Sequence, residues 1–167
     1  NTIVGSRGTV ADIEKAIDWL REKGIAKSQA KAGRVAAEGL STIITEGNKA
    51  VIVEINSETD FTARTDKFKD MVKLVAKTIL ENQPKDVEEA LSLKVGAGTV
   101  NEEISTVSFA TGEKMTLRRF EVVTKTDDQQ FGTYVHHDGK TACVVVINGT
   151  NAEVGKPVAM QIASMKP

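Results

Sequence analysis

The chain has 167 residues, enough for one ordinary domain or two small ones. Hydrophobic residues make up 40% of it and charged residues 27%, which is normal for a soluble globular protein. The net charge of −1 argues against a domain that depends on the nucleic-acid backbone, because such domains concentrate Lys and Arg.

The chain has a single cysteine, Cys143, which excludes an internal disulfide and fits a reducing compartment such as the cytoplasm. Cys143 lies in the apolar run ACVVVI, which favours a buried side chain over a reactive thiol. No apolar run approaches the roughly 20 residues that a membrane-spanning helix needs.

The first 38 residues predict helices and a connecting segment. Asp12 can cap a first helix, and Gly24 is placed to end it, because glycine readily adopts the left-handed conformation found after helices. A second helical stretch is predicted over residues 28–38, where Ala and Lys are frequent and large apolar side chains are scarce. We expect this stretch to be a connector or a surface for a partner.

A β-hairpin followed by a helix is predicted next. Two β-branched runs, residues 40–45 and 50–55, flank the turn residues Glu46-Gly47-Asn48. Thr65 is a suitable N-cap for the amphipathic helix that follows. Asn82-Gln83-Pro84 should stop that helix, because the residue before a proline disfavours helical geometry.

Two short helices and a strand come after it. The helices are predicted over residues 86–93 and 101–109, separated by glycines, and Gly112 opens a strand over residues 114–124. The residues expected on one face of that strand are Met115, Leu117, Arg119 and Glu121.

A second hairpin and a final helix are predicted at the carboxyl end. Residues 133–137 and 141–147 have strand patterns around the turn Asp138-Gly139, and a helix follows over residues 154–165. The side chains expected to point inward from that helix are Val158, Ala159, Ile162 and Met165.

The two hairpins align with each other at one constant offset. The aligned pairs are Gly47 with Gly139, Ala50 with Ala142, Val53 with Val145, Ile55 with Ile147 and Asn56 with Asn148. Each hairpin also precedes a helix that contains Val-Ala-x-x-Ile. This agreement favours an internal duplication of a β-β-α unit, although amphipathic hairpins in general look alike.

The predicted fold is therefore α+β. A small helical module with its linker, residues 1–38, precedes two related subdomains of antiparallel hairpin and helix. We place the first subdomain at residues 39–125 and the second at residues 126–167.

No residue pattern announces a catalytic site. The chain lacks the GxxxxGK[ST] and GxGxxG patterns of phosphate-binding loops and the GxSxG pattern around a nucleophile. His136 and His137 are neighbours at a strand end, where adjacent side chains point to opposite faces and do not readily share one metal ion. Glu54, Glu58 and Asp60 could hold a metal, but a solvated strand edge is the favoured interpretation. We expect no catalytic residue, no bound metal and no cofactor.

The segment Ser57-Glu58-Thr59-Asp60-Phe61 is unusual. It directly follows a predicted strand, precedes a helix, and places an aromatic residue among polar ones. A phenylalanine in a loop is usually buried in its own core. The alternative is an exposed anchor for a protein partner, because loops held by rigid elements often carry such contacts.

With the strand before it and the residues after it, this segment reads IVEINSETDFTAR, which resembles the signature of the elongation factor Ts family. Four further blocks occur in the family's order, and they are DIEKAIDWLREKGIAK with KAGRVAAEG, ATGEKMTLRRF, YVHHDGKTACVVV and VAMQIASMKP. The five blocks extend from Asp12 to Pro167, so together they are far more specific than any one of them. The resemblance implies a small UBA-like helical module followed by two related α+β subdomains.

The resemblance also implies a function. Members of the family bind the GTPase elongation factor Tu in its GDP-bound and nucleotide-free states, and they speed GDP release by disturbing its magnesium and phosphate site. Carried over to this chain, Asp60 and Phe61 approach that site with Thr59 in support, and His136 and the loop at Gly112 are further partner contacts. No chemical catalysis, direct nucleic-acid contact or membrane attachment is implied.

Some positions depart from the family pattern. Ser57 stands where the family usually has Cys, and Gln161 where it often has His. The first eleven residues do not resemble the family's first helices, and longer members continue past the last block, so we expect a truncated factor with weaker exchange.

Two other functions stay open. One is a binding fragment or scaffold for the same GTPase that leaves GDP release unchanged. The other is an unrelated metal-dependent enzyme built on Glu54, Glu58, Asp60 and His136.

Overall fold

The computed structural model describes residues 10–165 and confirms the predicted α+β fold. Its helices are α1 (Val10–Ala30), α2 (Asp60–Ala63), α3 (Asp66–Asn82), α4 (Val87–Ser92), α5 (Val100–Thr111) and α6 (Ala152–Met165). Its strands are β1 (Glu38–Glu46), β2 (Lys49–Ser57), β3 (Lys94–Val95), β4 (Gly98–Thr99), β5 (Thr116–Thr124), β6 (Gln129–His136) and β7 (Thr141–Asn148). Within this range, no helix combines the length and apolar character needed to cross a bilayer.

Strands β1, β2 and β5 form an antiparallel sheet in that order, and α3 packs against it. The predicted first hairpin is confirmed, with the two-residue turn Gly47-Asn48 joining Glu46 to its partner Lys49. The core between sheet and helix is mainly aliphatic, and its largest fully buried members are Val51, Val53, Ile55, Phe68, Met71, Val72, Val75 and Ile79. Burial of each such side chain contributes about 1.5–3 kcal/mol.

Both ends of α3 follow the prediction. The Thr65 side chain accepts a hydrogen bond from the Phe68 backbone N–H at 3.3 Å, which makes it the N-cap. Gln83 ends the helix in the left-handed conformation, with φ of 50°, directly before Pro84. Between these ends, the apolar face of α3 packs against β1, β2 and α5.

The amino-terminal prediction is wrong in two respects. Helix α1 does not end at Gly24 but continues to Ala30, and residues 28–38 do not form a second helix. Gly24 is buried where α1 meets α5, and a Cβ there would lie 3.7 Å from the Ser105 carbonyl oxygen. A Cβ would make ordinary van der Waals contact there, so Gly24 lies inside the helix interface and does not end the helix. Residues 1–9 of the predicted module lie outside the described residues.

The predicted alternation along the third strand of the sheet is wrong beyond Leu117. Glu54 pairs with Arg119 but Ile55 pairs with Leu117, so Arg118 is an extra residue in a β-bulge. The bulge reverses the faces, and Phe120 rather than Arg119 packs against the core. The strand also begins at Thr116 rather than at residue 114, while the helices predicted before it are confirmed as α4 and α5.

The second hairpin is confirmed as β6 and β7, and α6 packs against both strands. The contact between α6 and β6 is close, because a Cβ on Gly132 would lie 2.1 Å from the Gly155 carbonyl oxygen. Ala159 is buried as predicted, but Met165 is 68% exposed, so the prediction that it points inward is wrong. At 100° per residue, Met165 lies about 80° around the helix from Gly155, outside the contact face. Both hairpins are thus followed by a packed helix, while the domain boundaries at residues 38 and 125 stay predictions.

Candidate functional site

The segment that contains Phe61 is a short helix and not an irregular loop. Strand β2 ends at Ser57, and Thr59 caps α2 by accepting a hydrogen bond from the Thr62 backbone N–H at 3.3 Å. The Ser57 hydroxyl donates to the Thr59 carbonyl at 3.0 Å. These bonds fix the direction in which the chain leaves the sheet.

Phe61 points into solvent, with 79% of its surface exposed. The next two residues, Thr62 and Ala63, are buried and seat α2 against β1, β2 and α3. Of the two interpretations of this phenylalanine, burial in its own core is wrong, because the ring is exposed. Its role as an anchor for a partner stays a prediction.

Asp60 lies in the first turn of α2 and forms an ion pair with Arg64 at 3.0 Å. Both side chains are at least one-third exposed, so this pair contributes at most about 1 kcal/mol. A partner cation or hydrogen-bond donor could therefore replace Arg64 at little cost.

Glu113 is the site residue that the sequence analysis missed. One oxygen of its carboxylate accepts from the backbone N–H groups of Glu58 and Thr59, both at 3.1 Å, and the other accepts from the Thr59 hydroxyl at 2.6 Å. Burial alone would raise the pKa of Glu113, but these hydrogen bonds outweigh it and hold the pKa below its usual range. Glu113 therefore stays ionised at neutral pH.

Gly112 places Glu113 at the end of α5. It ends that helix in the left-handed conformation, with φ of 77°, which glycine adopts without strain. Its carbonyl accepts a hydrogen bond from Arg34 at 3.1 Å. The signal for Glu113 was in the Gly-Glu pair after a predicted helix, but its partners lie more than 50 positions away along the chain.

The acidic residues considered as metal ligands pair with arginines instead. Glu54 lies 2.7 Å from Arg119, and Glu58 lies 2.6 Å from Arg34. Over residues 10–165, no three acidic, histidine or cysteine side chains come together as a metal-binding group. Nor does the structure gather the set proposed for a metal-dependent enzyme.

His136 is exposed at the end of β6, with its Nδ1 atom 2.6 Å from the Tyr134 hydroxyl. The prediction that His136 and His137 point to opposite faces is wrong, because their ring centroids are only 3.7 Å apart. The reason is local. The strand ends at His136, and His137 opens a 3₁₀ turn with φ of 47°, so the strand alternation no longer applies.

A cleft of about 300 Å³ joins the α2 segment to this turn. Its lining residues are Gly39, Asp60, Ala63, Arg64, His137, Asp138 and Lys140. The structure thus brings Asp60 to the same cleft as the hairpin turn, while Gly112 contacts Arg34 and Glu113 supports the start of α2.

The single cysteine, Cys143, lies in β7. It is half-buried, and burial raises the pKa of its thiol. This environment disfavours a thiolate nucleophile, as predicted, although the side chain is half-buried rather than fully buried.

Comparison with known proteins identifies the family. A family model described as Elongation factor TS matches residues 58–167, a range that includes α2, Glu113 and the second hairpin. Elongation factor Ts of Lactiplantibacillus plantarum is 50% identical over 159 residues, covering 95% of this chain and 54% of the relative. Elongation factor Ts of Limosilactobacillus reuteri is 52% identical over 156 residues, covering 93% of this chain and 54% of the relative. Elongation factor Ts of Oenococcus oeni is 47% identical over 159 residues, covering 95% of this chain and 54% of the relative.

The chain spans about half the length of these curated relatives. The family match nevertheless covers more than half of the chain, and the identity extends beyond it towards the amino terminus. On these grounds we assign the chain to the elongation factor Ts family.

Proposed function

We propose that this chain binds the GTPase elongation factor Tu and speeds the release of GDP, with Phe61 as its principal anchor. The observation that supports the proposal is the exposure of Phe61, 79%, on a helix whose neighbouring residues Thr62 and Ala63 are buried. A fully covered phenylalanine buries about 150–250 Å², which makes it a strong interface residue.

The physical basis of the exchange lies in the partner's nucleotide site. A GTPase holds GDP partly through Mg²⁺, which bridges the phosphates and the protein and demands near-ideal octahedral geometry. An aromatic side chain that enters beside this site and moves ligands by about an ångström weakens the nucleotide strongly. By linkage, the factor by which the exchange protein weakens GDP equals the factor by which GDP weakens the exchange protein.

The other proposed contacts have supporting roles. Asp60 can exchange its exposed pair with Arg64 for a partner group, and Thr59 sets the direction of α2 as its N-cap. His136 presents an exposed imidazole beside Tyr134 on the second hairpin. Gly112 acts through the loop that places Glu113. None of these roles requires a proton transfer or a covalent step.

The decisive experiment measures release of a fluorescent GDP from elongation factor Tu with the parent chain and with Phe61→Ala. We expect the variant to lower stimulated release roughly thirtyfold, corresponding to about 2 kcal/mol, the size of an interface hot spot. Leu74→Ala, an exposed apolar residue on α3, is the matched control and should behave like the parent.

Each result has a clear reading. Equal rates for the parent and Phe61→Ala would remove Phe61 from the mechanism. A parent chain that binds the GTPase but leaves GDP release at its intrinsic rate would support the non-exchanging binding fragment instead.

A further inference from the structure

Glu113 is connected to the Phe61 segment and to helix α5 at the same time. Both of its carboxylate oxygens accept hydrogen bonds from residues 58 and 59, immediately before α2. Its backbone carbonyl accepts from the Ser108 hydroxyl at 2.6 Å and from Lys31 at 3.3 Å. The backbone of Glu113 is therefore held by groups outside the segment that its carboxylate contacts.

Helix α2 needs this outside support because it has only four residues. A helix of one turn does not persist by itself, since nucleation costs more than its few hydrogen bonds return. The Thr59 hydroxyl accepts from Thr62 and donates to Glu113, so Glu113 also orients the cap of the helix. The N–H groups of Glu58 and Thr59 have the same carboxylate oxygen as their acceptor.

We propose that Glu113 is a positioning residue that holds α2, and with it Phe61, in the partner-binding conformation before the GTPase arrives. This inference rests on the function proposed above. Glu113 does not touch the nucleotide site; it raises the fraction of molecules whose Phe61 is already in place. The apparent affinity of a binding protein falls in proportion to that fraction.

The proposal predicts a kinetic split. Glu113→Ala should raise the chain concentration that gives half-maximal GDP release by roughly tenfold, if the competent fraction falls to about a tenth, and leave the maximal rate unchanged. Phe61→Ala, in contrast, removes the side chain that disturbs the nucleotide site as well as an anchor, so it should lower the maximal rate and also raise the half-maximal concentration. Glu113→Gln should lie between the parent and Glu113→Ala, because its amide oxygen can still accept from both backbone N–H groups whereas its NH2 group cannot accept from the Thr59 hydroxyl.

A second readout does not require the partner. Amide hydrogen exchange in the free chain, followed residue by residue by NMR, should show about tenfold or greater loss of protection at residues 58–63 in Glu113→Ala, with α3 unaffected. Glu102→Ala is the matched control, because the Glu102 carboxylate accepts from the Thr99 backbone N–H at the far end of α5. It should destabilise α5 yet leave protection at residues 58–63 and the half-maximal concentration unchanged.

The two readouts separate the proposals. Unchanged protection at residues 58–63 in Glu113→Ala, or a lower maximal rate at an unchanged half-maximal concentration, would overturn the role of Glu113. If the parent itself fails to speed GDP release, the function fails, while the exchange data on the free chain still decide whether Glu113 holds α2.

Discussion

Phe61 and Phe68 lie seven residues apart and have opposite environments. Phe68 is fully buried beneath the first sheet, whereas Phe61 is 79% exposed. Burial of the Phe68 ring therefore stabilises the fold, whereas the Phe61 ring keeps its apolar surface in water, where a partner could cover it. The residue type alone does not distinguish them; the distinction comes from where α2 and α3 place each Cα.

The two phenylalanines should respond very differently to truncation. Phe61→Ala should change the free energy of unfolding by no more than about 0.5 kcal/mol, as exposed substitutions usually do. Phe68→Ala should lower it by about 3–5 kcal/mol, because it leaves a cavity in the core. Urea denaturation followed by circular dichroism measures both. A large loss for Phe61→Ala would show that this ring supports the fold after all.

At the scale of single elements, local signals predicted α3 and the first hairpin well. The cap at Thr65, the apolar period and the stop at Gln83 all agree for α3, and a short turn with two β-branched flanks leaves few alternatives. The misses have a common cause. The surroundings of Gly24, Arg118 and Glu113 depend on residues distant in the chain. Helix α5 packs against Gly24, pairing with β2 leaves Arg118 in a bulge, and Glu113 accepts from Glu58 and Thr59.

The element that depends most on close packing is α6. Gly132→Ala would place a Cβ 2.1 Å from the Gly155 carbonyl oxygen, so α6 must move away from β6. We expect a loss of about 3 kcal/mol in stability, the upper end of the usual cost of overpacking. Amide exchange should then accelerate in β6, β7 and α6.

Gly33→Ala provides the control for this substitution, since nothing lies within 4 Å of the added Cβ. Its stability should stay within about 0.5 kcal/mol of the parent. Retained protection of α6 in Gly132→Ala would mean that the helix does not rely on the glycine contact.

At the scale of the whole molecule, the second hairpin contacts the first sheet through its turn and along β7. A Cβ on Gly139 would lie 2.7 Å from the Leu40 Cβ and 3.0 Å from the Ser41 carbonyl oxygen. Lys140 beside it forms an ion pair with Glu38. The internal repeat predicted two similar units, but no sequence pattern indicated where they would touch.

Gly139→Ala should loosen that attachment. Both Gly139, with φ of 101°, and Gly149, with φ of 93°, are left-handed, but a Cβ on Gly149 has no atom within 4 Å. Gly149→Ala therefore reports the backbone strain alone. Gly139→Ala should lower the free energy of unfolding by about 1–3 kcal/mol more, because of the steric contact. The measurement is urea unfolding of both variants. Equal losses would show that the turn does not need the close approach.

The same turn carries His137 and Asp138 at φ of 47° and 52°, where glycine would fit with less strain. Each non-glycine residue in this conformation costs about 1 kcal/mol or more. Glycines would stabilise the backbone but would remove an imidazole and a carboxylate from the wall of the cleft. The hairpin turn thus keeps two polar side chains in the wall of the cleft, and it does so at a cost in backbone strain that a pair of glycines would avoid.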